Sequence, residues 1–147
     1  MKKIVEYIFG KKLHIRDERI GSLSARIRSK DPSKEYTWSS ETTILNQSRK
    51  TVFLLNGNHN GPFESQLRLA YRIIDEFDSI IKQTDIEIRK KTNEFGNWKN
   101  ELYLSAIMPN IHQTNEFELV FDSTNSESTR NIGMIWADGT IKEIGWQ

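Results

Sequence analysis

His14, His59 and His112 are the only imidazoles in the chain, and 45 and 53 residues separate them. Two imidazoles that share a metal from one helix sit four residues apart, so this spacing leads us to expect no metal site. There is no cysteine, which excludes a disulfide framework, a thiolate zinc site and a cysteine nucleophile. Serine is plentiful, but no Gly-x-Ser-x-Gly elbow presents one as a nucleophile. A Ser/His/Asp triad picked from so many serines has no predictive content. Asp75, Glu76 and Asp78 form the densest carboxylate group. On a helix Asp75 points away from the apolar stripe and the other two flank it, the layout of a solvated face rather than an acid–base pair. No catalytic residue and no cofactor are expected.

Two segments have the chemistry for binding. Leu55-Asn56-Gly57-Asn58-His59-Asn60-Gly61-Pro62 should run from a buried strand into a helix N-terminus, where free backbone amides and the helix dipole favour anions. Asn58, His59 and Asn60 are the ligand-binding candidates. The segment lacks the Lys-Ser/Thr of a P-loop and the third Gly of a dinucleotide fingerprint, and Asn and Gly are also what a tight turn requires.

The second segment, Arg26 to Trp38, places Arg26, Arg28, Lys30, Lys34, Tyr36 and Trp38 within thirteen residues. Cations interleaved with aromatics can bind nucleic acid by phosphate contact and stacking. Arg, Tyr and Trp are also the side chains that anchor protein interfaces. The alternative is a core Trp38 with solvated charges around it. Arg26, Arg28, Lys34, Tyr36 and Trp38 are the partner-binding candidates.

Charge weighs between these partners. The chain holds 21 Lys and Arg against 20 Asp and Glu, a net charge of +1. Residues 1 to 50 hold 12 cations against 6 anions, and residues 51 to 147 hold 9 against 14, so the halves carry +6 and −5. A nucleic-acid binder is basic as a whole, with its cations on one face. Oppositely charged halves suit a protein partner, or they intermix on folding. At the N-terminus Glu6, Lys11 and Lys12 interrupt the apolar run that opens at Ile4-Val5, and no stretch reaches the ~20 apolar residues of a membrane span. A soluble, cytoplasmic protein is expected.

A length of 147 residues matches one domain, for which ~150 residues is the usual prior. Phe63, Leu67, Ala70, Ile74, Phe77, Ile81, Thr84 and Ile88 step by four and three, one stripe of an α-helix that Leu69, Ile73 and Ile80 widen. Pro62 suits its first turn, Asn60 or Gly61 its cap, and Asn93 to Gly96 its end. Roughly 32 residues at ~1.5 Å each exceed the span of such a domain, which predicts a break near Gln83 to Asp85.

The remaining segments have the patterns of strands. Thr51 to Leu55 lacks polar alternation, as a strand covered on both faces would. Leu23, Ala25 and Ile27 alternate with polar and basic residues, and Leu102, Leu104, Ala106 and Met108 repeat the period, as do Phe117, Leu119 and Phe121. A strand pair is expected over Tyr36 to Leu45, a hairpin loop over Pro109 to Asn115, and an exposed loop over Asp122 to Asn131. Asp138-Gly139 is a type I′ hairpin signal. Together these predict a single α+β domain, an antiparallel sheet with one long α-helix packed across one face. Val52, Leu54, Leu104, Phe117 and Leu119 should meet the helix.

Gly21-Ser22-Leu23, Arg26-Ile27-Arg28-Ser29, Pro32 to Trp38, Lys50-Thr51-Val52, Gly57-x-x-x-Gly61-Pro62-Phe63, Leu102 to Ile107 and Ile135-Trp136-Ala137-Asp138-Gly139 make a pattern that resembles small bacterial domains of the immunity-protein type found in polymorphic toxin systems. The resemblance implies a cytoplasmic protein that binds a cognate toxin and occludes its active site without catalysis. It brings no catalytic residues with it. Small-ligand binding or catalysis at Asn56–Pro62, and nucleic-acid binding at Arg26–Trp38, are the alternatives.

Overall fold

The computed structural model describes residues 2–44, 47–96, 101–109, 116–124 and 130–147. Along them run α1 (Lys2–Phe9), β1 (Lys11–Asp17), β2 (Gly21–Ile27), β3 (Tyr36–Thr42), β4 (Thr51–Asn58), β5 (Gly61–Pro62), α2 (Glu64–Asp75), α3 (Phe77–Lys90), α4 (Thr92–Phe95), β6 (Leu102–Pro109), β7 (Glu116–Ser123), β8 (Ile132–Ala137) and β9 (Thr140–Trp146). Eight strands lie in the order β1-β2-β3-β4-β6-β7-β8-β9, and β5 pairs with the end of β4. The strand order follows the chain order, so the basic N-terminal half builds one wing of the sheet and the acidic C-terminal half the other.

The sheet is mostly antiparallel rather than wholly so. β4 and β6 run parallel, with Val52 opposite Ala106. Between them the chain passes through β5 and the helices, and such a crossover returns it in its starting direction. The helical segment is also not one rod. It breaks at the single residue Glu76 (φ −95°, ψ 9°), well before Gln83–Asp85. The Glu76 N–H still donates to Arg72 O at 2.9 Å, and the Ile80 N–H donates to Glu76 O. Helix α2 starts after Phe63, whose carbonyl accepts from the Gln66 and Leu67 amides. Asn60 and Gly61 are not its cap, because β5 has taken up Gly61 and Pro62. The stripe itself faces the sheet through Ala70, Ile73, Ile74, Phe77, Ile80, Thr84 and Ile88, all buried.

The core lies between this stripe and one face of the sheet. Trp38, Phe53, Leu55, Leu104, Phe117, Leu119, Phe121 and Trp136 are buried there. Strand β4 alternates buried and half-buried residues along its whole length, so it is covered on one face, not two. Val52 and Leu54 consequently lie on the face away from the helices. A register shift between Leu104 and Ala106 redirects β6 in the same way: Leu104 and Ile107 are buried, while Ala106 and Met108 are half-buried. The period-two pattern across Leu102 to Met108 is broken by that bulge, because one extra residue flips the faces that follow it.

Tyr36 to Thr42 is a single strand, β3, which pairs with β2 and β4, rather than two strands paired with each other. Asp138 and Gly139 have φ of 53° and 79° and turn β8 into β9, as a type I′ turn requires. β6 and β7 are antiparallel neighbours. His112 and the rest of the 110–115 loop, and residues 125–129 of the Ser/Thr/Asn-rich loop, lie outside the described residues. Helix α1 and strand β1 were not expected. The apolar residues of α1 are exposed, and Leu13 and Ile15 of β1 are only half-buried among Lys11, Lys12, His14 and Arg16. No helix among the described residues is long and apolar enough to cross a membrane.

Candidate functional site

The two segments with binding chemistry meet at one corner of the sheet. Asn58-His59-Asn60-Gly61 is a tight hairpin between β4 and β5, not a strand-to-helix turn. The Asn60 N–H donates to Asn58 Oδ1 at 2.9 Å, and a Cβ on Gly57 would lie 2.1 Å from Gly61 O. Asparagine and glycine are therefore accounted for by the turn. At the base of the hairpin, the Asn56 N–H donates to Oε1 of buried Gln66 at 3.2 Å and the Phe63 N–H to Asn56 O at 2.9 Å, which fixes the hairpin to α2.

Tyr36 and Trp38 turn inward and act as scaffolding. Trp38 is 0 % exposed, so its expected place in a partner contact is corrected: it belongs to the core. Its Nε1–H donates to Asn58 O at 3.0 Å. The Tyr36 hydroxyl, half-buried, accepts from the Ser29 and Arg28 amides at 2.8 and 3.3 Å and donates to Ser29 O. One aromatic thus holds the end of β4 and the other holds the segment after β2. Arg26 lies on the opposite face of the sheet, paired in register with Lys12, and Lys34 is exposed in the loop before β3. The five expected contact residues do not form one patch.

A recess of about 370 Å³ opens between these two fixed segments. Leu13 and Ile27 supply its apolar lining, and Lys11, Arg28 and Lys30 its cations, with Ser29 and His59 completing it. None of the three cations makes an ion pair among the described residues. His59 Nδ1 is buried without a hydrogen-bond partner. Lys11 and Leu13 escaped notice in the sequence because β1 alternates cations with only two aliphatic residues, a weak strand signal.

Asp31 is the carboxylate of this corner. Hydrogen bonds from the Ser33 amide and hydroxyl hold its carboxyl below the usual range, and the nearby Lys34 and His59 act in the same direction. A second polar cluster ties the β1–β2 turn to α2. Tyr71 donates to Asp17, Arg19 pairs with Asp75, and the Arg19 guanidinium lies 5.1 Å from the Tyr71 ring centroid. Burial raises the Asp17 carboxyl, but hydrogen bonds from Tyr71, Ile20 and Arg19 outweigh it, and the carboxyl ends below its ordinary value. Burial and then the Asp17 bond push the Tyr71 hydroxyl up to about 12. Among the described residues no three of His, Cys, Asp and Glu stand together as a metal-binding set.

No family model matches the chain, and no curated protein or solved structure is detectably similar to it. The resemblance to immunity proteins therefore rests on its sequence words alone.

Proposed function

We propose that the chain is a non-catalytic protein-binding module that receives an acidic projection of its partner in the recess at the β1–β2 and β4–β5 corner. The observation that carries this is the set of three cations that make no ion pair among the described residues, Lys11, Arg28 and Lys30, around the apolar lining of Leu13 and Ile27. Unneutralised charge beside apolar surface matches an acidic, partly apolar anchor, and complementary potentials also speed association. Tyr36 and Trp38 support the site from behind by fixing the two segments that bear Arg28 and His59.

A cognate toxin is the specific partner, as the resemblance implies, and the protein neutralises it by occlusion in the cytoplasm. Co-expression with the effectors encoded beside its gene tests this. The wild type should co-purify with one of them and protect the host, and Arg28→Glu/Lys30→Glu should lose both effects while melting at the wild-type temperature. Failure of the wild type to bind or protect against any neighbouring effector, or equal binding by the variant, would remove the proposal.

A further inference from the structure

Among the described residues, α2 and α3 cover one face of the sheet, and the other is left bare except where α1 stands at the β1 edge. On β1 and β2 that bare face carries Lys12, His14, Arg16, Ser22, Ser24 and Arg26. Lys12, Arg16 and Arg26 have no ion pair among the described residues. In the middle stand half-buried Val52 and Leu54 of β4, Ala106 and Met108 of β6 and Ile135 of β8, around Val120 of β7, which is already buried, with Ser39 and Glu41 of β3 beside them. On β7 and β9 the same face carries Glu116, Glu118, Asp122 and Glu143, against which stands Lys142, paired to Glu116. Basic wing, apolar centre and acidic wing thus succeed one another across the strands.

We infer that this face is the interface of a symmetric dimer, and that its occupant is a second copy of the chain. A two-fold axis parallel to the strands, running between β4 and β6, sets two such faces against each other in the aligned manner of a β-sandwich. It places the basic wing of each copy over the acidic wing of the other, and the two apolar centres together. An axis perpendicular to the strands would stack like charges, so the charge order selects one arrangement. The face is also large enough. Eight strands ~4.8 Å apart and ~20 Å long project roughly 700 Å², close to the ~800 Å² per partner of a stable interface.

Helix α1 adds to the same side. It lines a groove with Lys12, His14 and Arg26, and its Ile4, Val5, Tyr7, Ile8 and Phe9 are between 40 and 91 % exposed. In the dimer this apolar helix lies at the rim of the interface, beside the partner copy. The corner recess is lined by Lys11, Leu13 and Ile27, which point to the helix-bearing side of the sheet. Dimerisation leaves it open, so the inference does not depend on the function proposed above.

Sedimentation of the full chain tests it. The wild type should be a dimer in low salt, and raising the salt from about 50 to about 500 mM should weaken the dimer at least about tenfold, because the wing contacts are screened. Leu54→Glu should be monomeric. Should it fail to fold, Lys12→Glu/Arg26→Glu, which alters only exposed side chains, decides the matter and should be a folded monomer. A wild type that stays monomeric at about 100 μM, far above the Kd of an ordinary interface of this size, would overturn the inference. So would a dimer that survives in the folded variants.

Discussion

Phe53 and Leu54 are neighbours on β4, yet one is wholly buried beneath the helices and the other half-buried on the bare face. The difference shows how one strand serves two purposes. Its even sequence of apolar residues does not mean burial on both sides; one side is consumed by the core and the other is left for association. The charges make the same division. On the helix-bearing side Asp17, Asp75 and Glu76 are matched by Tyr71, Arg19 and Arg72. On the bare side, the Glu116–Lys142 pair aside, Lys12, Arg16 and Arg26 stand on one wing and Glu118, Asp122 and Glu143 on the other.

The contrast between the two faces is sharpest in stability. In high salt, Phe53→Ala should destabilise the fold by about 3–5 kcal/mol, the usual cost of emptying a large buried aromatic site. Leu54→Ala should cost less than about 1 kcal/mol in the same denaturant titration, and its effect should appear in self-association instead. Comparable losses at both positions would mean that the bare face belongs to the core.

The polar matching on the covered side gives the next largest effect. Tyr71→Phe removes a donor from the Asp17 carboxylate, and should cost roughly 1–2 kcal/mol near neutral pH. Its pH dependence has two limbs. Because the folded state favours the ionised Asp17, stability is fully present above the unfolded value of ~3.9 and falls away as acid protonates the folded carboxyl. Because it favours the neutral Tyr71 hydroxyl, with its pKa at about 12 against 10.0, stability is fully present below pH 10 and is lost as pH rises toward 12. Denaturation across pH should show the alkaline limb in the wild type and lack this contribution in Tyr71→Phe. An unchanged alkaline limb would contradict the assignment.

The corner should show its effect chiefly in spectra. Trp38→Phe deletes the donor to Asn58 O and leaves part of a fully buried site empty, so it should cost at least about 1 kcal/mol, while the chemical environment of His59 shifts in NMR spectra because the hairpin loses its tether. An unmoved His59 signal would mean that Trp38 does not position the recess.

Most of the architecture was legible, for identifiable reasons. The stripe from Leu67 to Ile88, the alternation at Leu23-Ala25-Ile27 and Phe117-Leu119-Phe121, and Asp138-Gly139 each express a local rule that the tertiary structure did not overrule. What was not legible depended on distant parts of the chain. Val52 and Leu54 cannot show in sequence which face the helices will choose, and the bulge at Ser105 is one residue in an otherwise regular pattern. Trp38 reads either as a contact residue or as core, because its neighbours are charged, and only the fold shows that its own face is the inner one. His59 and Arg28 were singled out separately, and only the folding of the β4–β5 hairpin toward β1 and β2 brings them to one recess. The charge asymmetry of the two halves was visible at once. Its meaning depended on a strand order that preserves chain order, which keeps the halves apart as two wings.

Mixing two charge-reversed chains tests that meaning most directly. Lys12→Glu/Arg26→Glu makes both wings acidic, and Glu118→Lys/Glu143→Lys makes the C-terminal wing basic like the other. Each should sediment as a monomer alone, since both contacts of its symmetric dimer are then repulsive. An equimolar mixture should form a heterodimer, in which every basic wing again faces an acidic one. A mixture that remains monomeric while the wild type dimerises, or reversed chains that still pair with themselves, would show that the wings do not meet across the bare face.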